Sequence, residues 1–142
     1  MERPGVGLGV VIEKEGKIVL GKRTNTHGDE MWCCPGGHLE LNERFEECAK
    51  REAKEETDMD IGEAECFGIT NDLVKEWGTH YITICMKATQ FKGKPKVMEP
   101  DKFIEVGWYP LDNLPKPLFP PTRKMIGLFK SGGVFNKDEQ EA

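Results

Sequence analysis

Glu52, Glu55 and Glu56 place three carboxylates within five positions, at the end of a run that reads as one helix. From Glu43 to Asp58 the chain is ERFEECAKREAKEETD, with no Gly or Pro inside. Phe45, Cys48, Ala49 and Ala53 fall at helical spacing and form an apolar stripe. One turn further on, the same stripe meets Glu52 and Glu56, only about 40° apart around the axis at roughly 100° per residue. Glu55 lies on its edge. Carboxylates on a core-facing surface are costly unless something positive meets them. With no Lys or Arg expected on that face, the partner is a divalent cation: clustered carboxylates suit Mg²⁺ or Mn²⁺.

The approach to the helix is Cys34-Pro35-Gly36-Gly37-His38-Leu39-Glu40. Paired glycines let a backbone come close to a ligand or metal, and a carbonyl there is a further hard oxygen ligand. Because the carboxylates sit on the last turns, this loop must fold back over their face. Asn42 is the expected N-cap. Glu43, Glu46, Glu47, Lys50 and Lys54 read as a solvated charged face.

The elements that must hold this unit follow from periodicity. Gly5 to Glu13 alternates as a strand, with Val6, Leu8, Val10 and Ile12 on one face and Gly5, Gly7 and Gly9 on the other. The bare face is either a structural feature or room for a flat ligand. Glu15-Gly16 is a hairpin turn into Lys17 to Arg23. Met31 to Cys34 is a short strand. Glu63 to Lys75 and Thr79 to Gln90 are long strands joined at Gly78, and Ile104 to Tyr109 is another. Thr122 to Lys130 is a second helix, stopped by Gly132-Gly133, and the tail from about 131 to 142 is expected to fray. Strands around one well-patterned helix point to a single α+β domain, an α/β/α sandwich.

The 142 residues suit one domain, with 37% hydrophobic and 32% charged residues. The net charge of −5 argues against nucleic acid as the main partner. The five cysteines, without a C-x-x-C pair, read as free thiols in a reducing compartment rather than as zinc ligands. The N-terminal MERPGVGLGVV has no charged segment ahead of a long apolar core, so no secretory leader is expected. No run approaches the length of a membrane span. The default location is the cytoplasm.

Gly37, five residues, Glu43, seven residues and then Arg51-Glu52-Ala53-Lys54-Glu55-Glu56 resemble the Nudix box, here residues 37–59. Two departures stand out. Asp58 replaces the usual Gly where a left-handed backbone is often needed, and Ala53 is smaller than the usual aliphatic. Flanking stretches are similar to the MutT-type subgroup that includes cytosolic diphosphatases of oxidised guanine nucleotides: Arg3-Pro4-Gly5-Val6-Gly7, Leu20-Gly21-Lys22-Arg23, His80-Tyr81-Ile82-Thr83, Glu99-Pro100-Asp101-Lys102 and Leu114-Pro115-Lys116-Pro117-Leu118-Phe119.

The resemblance implies a Nudix fold with a mixed central sheet, a catalytic helix and a C-terminal helix. It implies hydrolysis of a nucleoside triphosphate to monophosphate and pyrophosphate with Mg²⁺ or Mn²⁺. Glu52 and Glu56 would be the main metal ligands, Glu55 a third ligand or the group that orients water, and the Gly37 carbonyl a further ligand. Glu99 is either solvent-exposed or a further carboxylate for the metals. Arg51 would pair with Glu55 or Glu47. Arg23 is either a surface cation or a phosphate contact, and His38 either faces substrate or bonds structurally. Gly36 belongs to the substrate loop, and Cys33, Cys34, Thr83 and Phe119 match the base pocket. Pro120-Pro121 alter the pocket wall after Phe119. Trp32, Trp77 and Trp108 read as core or edge aromatics. The resemblance also suggests a homodimer. Rival readings are a pterin triphosphate, prenyl diphosphate or dinucleotide substrate, or a nucleotide-sensing module without turnover.

Overall fold

The computed structural model describes residues 3–135. The strands are β1 Gly5–Val11, β2 Glu13–Lys14, β3 Lys17–Arg23, β4 Trp32–Cys33, β5 Gly36–His38, β6 Asp60–Val74, β7 Thr79–Lys92 and β8 Phe103–Pro110. The helices are α1 Phe45–Thr57 and α2 Pro120–Ser131. The expected tail falls largely outside the described residues, but α2 does stop at Gly132, in the left-handed conformation that glycine tolerates without strain.

A four-stranded mixed sheet has the order β5-β1-β7-β6. β1 and β7 run parallel, and the outer pairs are antiparallel. β3 pairs with β2, β4 and β8 to form a second, antiparallel sheet that the reading of one central sheet did not include. Leu8, Val10, Ile84 and Met86 point from the mixed sheet onto Cys48, Ala49 and Ala53 of α1. The small residues of α1 let the helix lie close. From the other face, Cys85 joins a second core with Met125, Ile126 and Leu128 of α2, and with Ile18 and Leu20 of β3. The result is α+β, with a helix on each side of the mixed sheet.

The bare face of β1 serves three purposes at once. A Cβ on Gly5 would strike the Tyr81 ring, and one on Gly9 would lie 3.0 Å from Met125 Cε. At Gly7 the nearest atoms would be Gly37 O at 3.7 Å and Thr83 Oγ1 at 3.9 Å. Two of the glycines are therefore packing requirements, and the middle one lines the cleft with room for a methyl group.

The helix differs from its sequence reading at the start. It begins at Phe45, with Arg44 as the N-cap. Asn42 instead takes a left-handed turn conformation with φ 66°. Glu47 Oε1 accepts the Arg44 N–H at 2.9 Å. Phe45 is 41% exposed and leaves the stripe, which runs through Cys48, Ala49, Glu52, Ala53 and Glu56. At the far end Asp58 does adopt the left-handed conformation, φ 64°, and donates its N–H to Lys54 O at 3.1 Å.

A methyl group on Gly36 would run into the Leu8 carbonyl oxygen. Gly36→Ala is therefore expected to cost roughly 1–3 kcal/mol in urea denaturation. Gly127→Ala, in α2 with nothing within 4 Å of the new methyl, serves as the control and should be neutral or stabilising.

Candidate active site

β5 is the edge strand beside β1, and its two glycines meet the helix carboxylates directly. Gly36 donates its N–H to Glu56 Oε1 at 2.9 Å. A Cβ on Gly37 would fall 2.5 Å from Glu52 Oε2, so any side chain there would displace the carboxylate. The loop folds back over the helix as its position demanded. Glu52 and Glu56 are 7% and 6% exposed.

Arg51 shares this neighbourhood, contrary to the expectation that no cation would. Its Nη1 lies 2.6 Å from Glu52 Oε1 and 3.5 Å from both Glu55 Oε2 and Glu40 Oε1. Nε and Nη2 grip both oxygens of Glu43 at 2.7 and 3.0 Å, a bidentate arrangement that a lysine cannot make. Glu47, the other expected partner, is used at the helix cap. Glu43 is accordingly no solvated residue: the Arg51 guanidinium holds its carboxyl down at about 2. Arg51 also donates to the His38 carbonyl at 3.1 Å, tying loop to helix.

Glu56 behaves differently. Burial pushes its carboxyl up to about 8, against the Gly36 N–H, and Glu52 and Glu99 push the same way. Burial also raises Glu52, opposed by Arg51. Glu99 stands close by, with Oε1 buried and without a hydrogen-bond donor. Its other oxygen is 3.5 Å from Lys102 Nζ. Burial works against the Lys102 charge, yet Glu99, Glu56 and Glu52 outweigh it and raise its pKa.

Among the described residues no three acidic, His or Cys side chains converge into a ready-made cage. Glu52 is turned onto Arg51 and Glu56 onto Gly36, while Glu55 is about half exposed. The donor set nonetheless fits a hard divalent cation. The buried Glu56 carboxylate and the unpartnered Glu99 Oε1 are hard oxygen donors of the kind such a cation takes, and Gly37 offers a backbone without a side chain beside Glu52.

A cleft of about 300 Å³ opens on the other side of the same loop. Gly7, Gly36, Gly37 and His38 form one wall, and Arg23, Cys33, Cys34, Thr83 and Phe119 also line it. Arg23 Cζ sits 3.9 Å above the Phe119 ring, and its Nε donates to His27 O at 3.0 Å. His38 lines the cleft and bonds Tyr81 Oη at 3.1 Å. Cys34 donates its backbone N–H to Thr122 at 3.1 Å. Burial pushes the Cys33 thiol up to about 11 and raises the Cys34 thiol as well, so both serve as apolar wall.

The sequence reading missed three cleft residues. Trp77 stacks on Phe119 with centroids 5.7 Å apart, and on His27 at 5.5 Å. Tyr81 closes the edge beside His38. Asp72 lies 2% exposed on the cleft floor. A polar residue alternating with Thr70 inside a strand was the available signal for Asp72. Trp77, in the hairpin turn between β6 and β7, had none.

The profile of the NUDIX domain family matches residues 1–129. The chain belongs to the Nudix family. It is 33% identical over 116 residues to an ADP-ribose pyrophosphatase from Methanocaldococcus jannaschii, covering 82% of this chain and 68% of that protein. It is 27% identical over 115 residues to an 8-oxo-dGDP phosphatase from Mus musculus, covering 80% of this chain but only 34% of the mouse protein. The crystal structure of a MutT Nudix hydrolase from Burkholderia pseudomallei superposes with a TM-score of 0.84 at 33% identity, over 89% of this chain and 98% of that one. The chain is thus a Nudix hydrolase, and Glu52, Glu55 and Glu56 stand on its Nudix box. No described helix is long and apolar enough to cross a membrane.

In the metal-free enzyme the folded chain keeps a proton on Glu56 between its ordinary value of 4.5 and about 8, where the unfolded chain has lost it. Stability therefore falls as pH rises through that interval and levels off above it. Denaturation in a chelator across that range should show the decline, and Glu56→Gln should flatten it. An unchanged slope in the variant would remove Glu56 as the cause.

Proposed function

We propose that this Nudix hydrolase cleaves nucleoside triphosphates to monophosphate and pyrophosphate, with Mg²⁺ or Mn²⁺ as the cofactor and oxidised guanine nucleotides among its substrates. The observation that carries the reading is the shared wall. Gly36 and Gly37 line the aromatic cleft on one side and touch Glu56 and Glu52 on the other. A ligand whose base enters the cleft must bring its phosphates along β5 to the carboxylates.

In this reading Glu52, Glu56, Glu99 and the Gly37 carbonyl hold the cation, with Glu55 as a further ligand or as the group that orients water. When bound, the cation supplies positive charge to the phosphoryl oxygens and acidifies water. Arg51 keeps Glu52 and the loop in register through Glu43 and the His38 carbonyl. Phe119 and Trp77, stacked on one another, form an aromatic wall of the cleft that would take a base, and Arg23 packs over the Phe119 ring. Positioning and charge neutralisation then provide most of the rate. A cleft of this size suits one nucleoside.

The relative that is an ADP-ribose pyrophosphatase favours a second reading, a nucleoside diphosphate joined to a sugar. Five unpaired cysteines support a reducing, cytoplasmic setting. A homodimer, suggested by resemblance alone, is open to light scattering.

Pyrophosphate release with Mg²⁺ should be measured on oxidised and ordinary deoxyguanosine triphosphate, the other nucleotides, a pterin triphosphate, a prenyl diphosphate and ADP-ribose. Turnover concentrated on nucleoside triphosphates is expected. Activity confined to ADP-ribose would transfer the assignment to the second reading. Glu56→Gln should lower kcat at least about a hundredfold in a folded protein. Phe119→Ala should raise KM more than it lowers kcat, and an unmoved KM would place Phe119 outside the base site.

A further inference from the structure

Below the aromatic mouth of the cleft lies a polar set that the metal chemistry does not use. In the β6–β7 register Thr70 stands opposite Thr83, and Asp72 follows two residues on, so it points to the same face. Thr83 and Asp72 both line the cleft, 9% and 2% exposed. Behind them Lys124 of α2, only 3% exposed, places Nζ 3.5 Å from Asp72 Oδ1 and donates to Asn71 O at 2.9 Å.

Asp72 Oδ2 lies 2.6 Å from Thr83 Oγ1 and 2.8 Å from Thr70 Oγ1. An ionised carboxylate only accepts, so each threonine must donate. A hydroxyl has one proton. With that proton committed to Asp72, Thr83 can offer the cleft only lone pairs. Turning the proton outward would leave a buried carboxylate short of a donor, when Oδ1 already has no hydrogen bond. Lys124 keeps the negative charge in place, because a buried carboxylate with its cation removed is strongly disfavoured.

Thr83 Oγ1 is within reach of a ligand on the bare side of β1. A Cβ built on Gly7 would lie 3.9 Å from it and 3.7 Å from Gly37 O. The space over Gly7 therefore meets two acceptors, Thr83 toward the cleft floor and the Gly37 carbonyl toward the carboxylates.

We infer that Asp72 and Lys124 fix Thr83 as a hydrogen-bond acceptor, so that the cleft selects nucleotides whose base presents an N–H donor, from a ring lactam or an exocyclic amine. Asp72 and Lys124 are positioning residues here, and Thr83 is the group that reads the base. The inference rests on the nucleotide reading above and narrows it to a substrate class. A base with only ring acceptors at this edge would face lone pair against lone pair, and a site built to bond a donor rejects an analogue that lacks it.

The test uses binding alone, so that it does not depend on turnover. Calorimetry would compare the 5′-monophosphates of guanine, hypoxanthine, adenine and unsubstituted purine ribonucleosides, the last of which has no N–H on its base. The wild-type enzyme should bind at least one donor-bearing base about tenfold or more tightly than unsubstituted purine. Thr83→Ser, which keeps the hydroxyl, should retain that ratio. Thr83→Val should bring the ratio close to one by weakening the donor-bearing ligand, with purine little changed. In the Asp72→Asn, Lys124→Met double variant the asparagine amide can donate to Thr83, which frees the hydroxyl proton and should shrink or invert the ratio. A merely structural role would weaken all four ligands together. Equal binding of the four by the wild type, or an unchanged ratio in Thr83→Val, would overturn the inference and leave the nucleotide reading standing. Binding of none of them would remove both.

Discussion

The rest of the site depends on the close approach of a bare backbone, Gly36-Gly37, to β1 on one side and to α1 on the other. Gly36 is pressed against the Leu8 carbonyl, and Gly37 leaves no space for a side chain beneath Glu52. Because β5 is this thin, two buried carboxylates can sit immediately behind the wall of an apolar cleft. A single side chain on Gly37 would displace the Glu52 carboxylate. The small residues of α1, Cys48, Ala49 and Ala53, repeat the requirement from the helix side, since they let the helix lie close enough for Glu52 and Glu56 to touch the loop.

Charge is distributed unevenly along that helix, and the distribution has a mechanical consequence. Arg51 is saturated by Glu43, Glu52, Glu55 and Glu40, and it also binds the His38 carbonyl. It works as a rivet between the loop and the helix. Glu56 and Glu99 receive almost none of that charge, and Lys102 is their nearest relief. The rivet fixes the frame, while Glu56 and Glu99 stay outside its reach, as the proposed cation site requires. An arginine placed against Glu56 instead would neutralise the carboxylate that the proposed cation would need.

The helix, its carboxylates and the returning loop were legible in the sequence because each follows from a local rule: periodicity for α1, paired glycines for close approach, and a left-handed end at Asp58. What was not legible depended on contacts across the fold. Arg51 was assigned by its four-residue spacing to Glu55 or Glu47. Its bidentate grip falls on Glu43, eight residues back, because the turn at Asn42 brings that side chain round the helix start. Asn42 is consumed in that turn and cannot cap. Phe45 fits the helical stripe but, as the first residue of α1, stays exposed. Trp77 and Asp72 come from β6 and its hairpin, and only the sheet register brings them to Phe119 and Thr83. The second sheet follows from the long-range pairing of β3 with β8, which no local pattern in either strand announces.

The central claim is that one wall joins a nucleotide-base cleft to a metal-binding carboxylate cluster. Phosphorus relaxation of a bound, slowly hydrolysed nucleotide analogue, measured with Mn²⁺ in place of Mg²⁺, tests it most directly. The account predicts strong paramagnetic broadening of the phosphate resonances, weaker broadening of the base protons, and quenching of tryptophan emission in the same complex through Trp77. Nucleotide binding with phosphates unaffected by Mn²⁺ at concentrations that saturate the enzyme would contradict it, because cleft and carboxylates would then be separate sites.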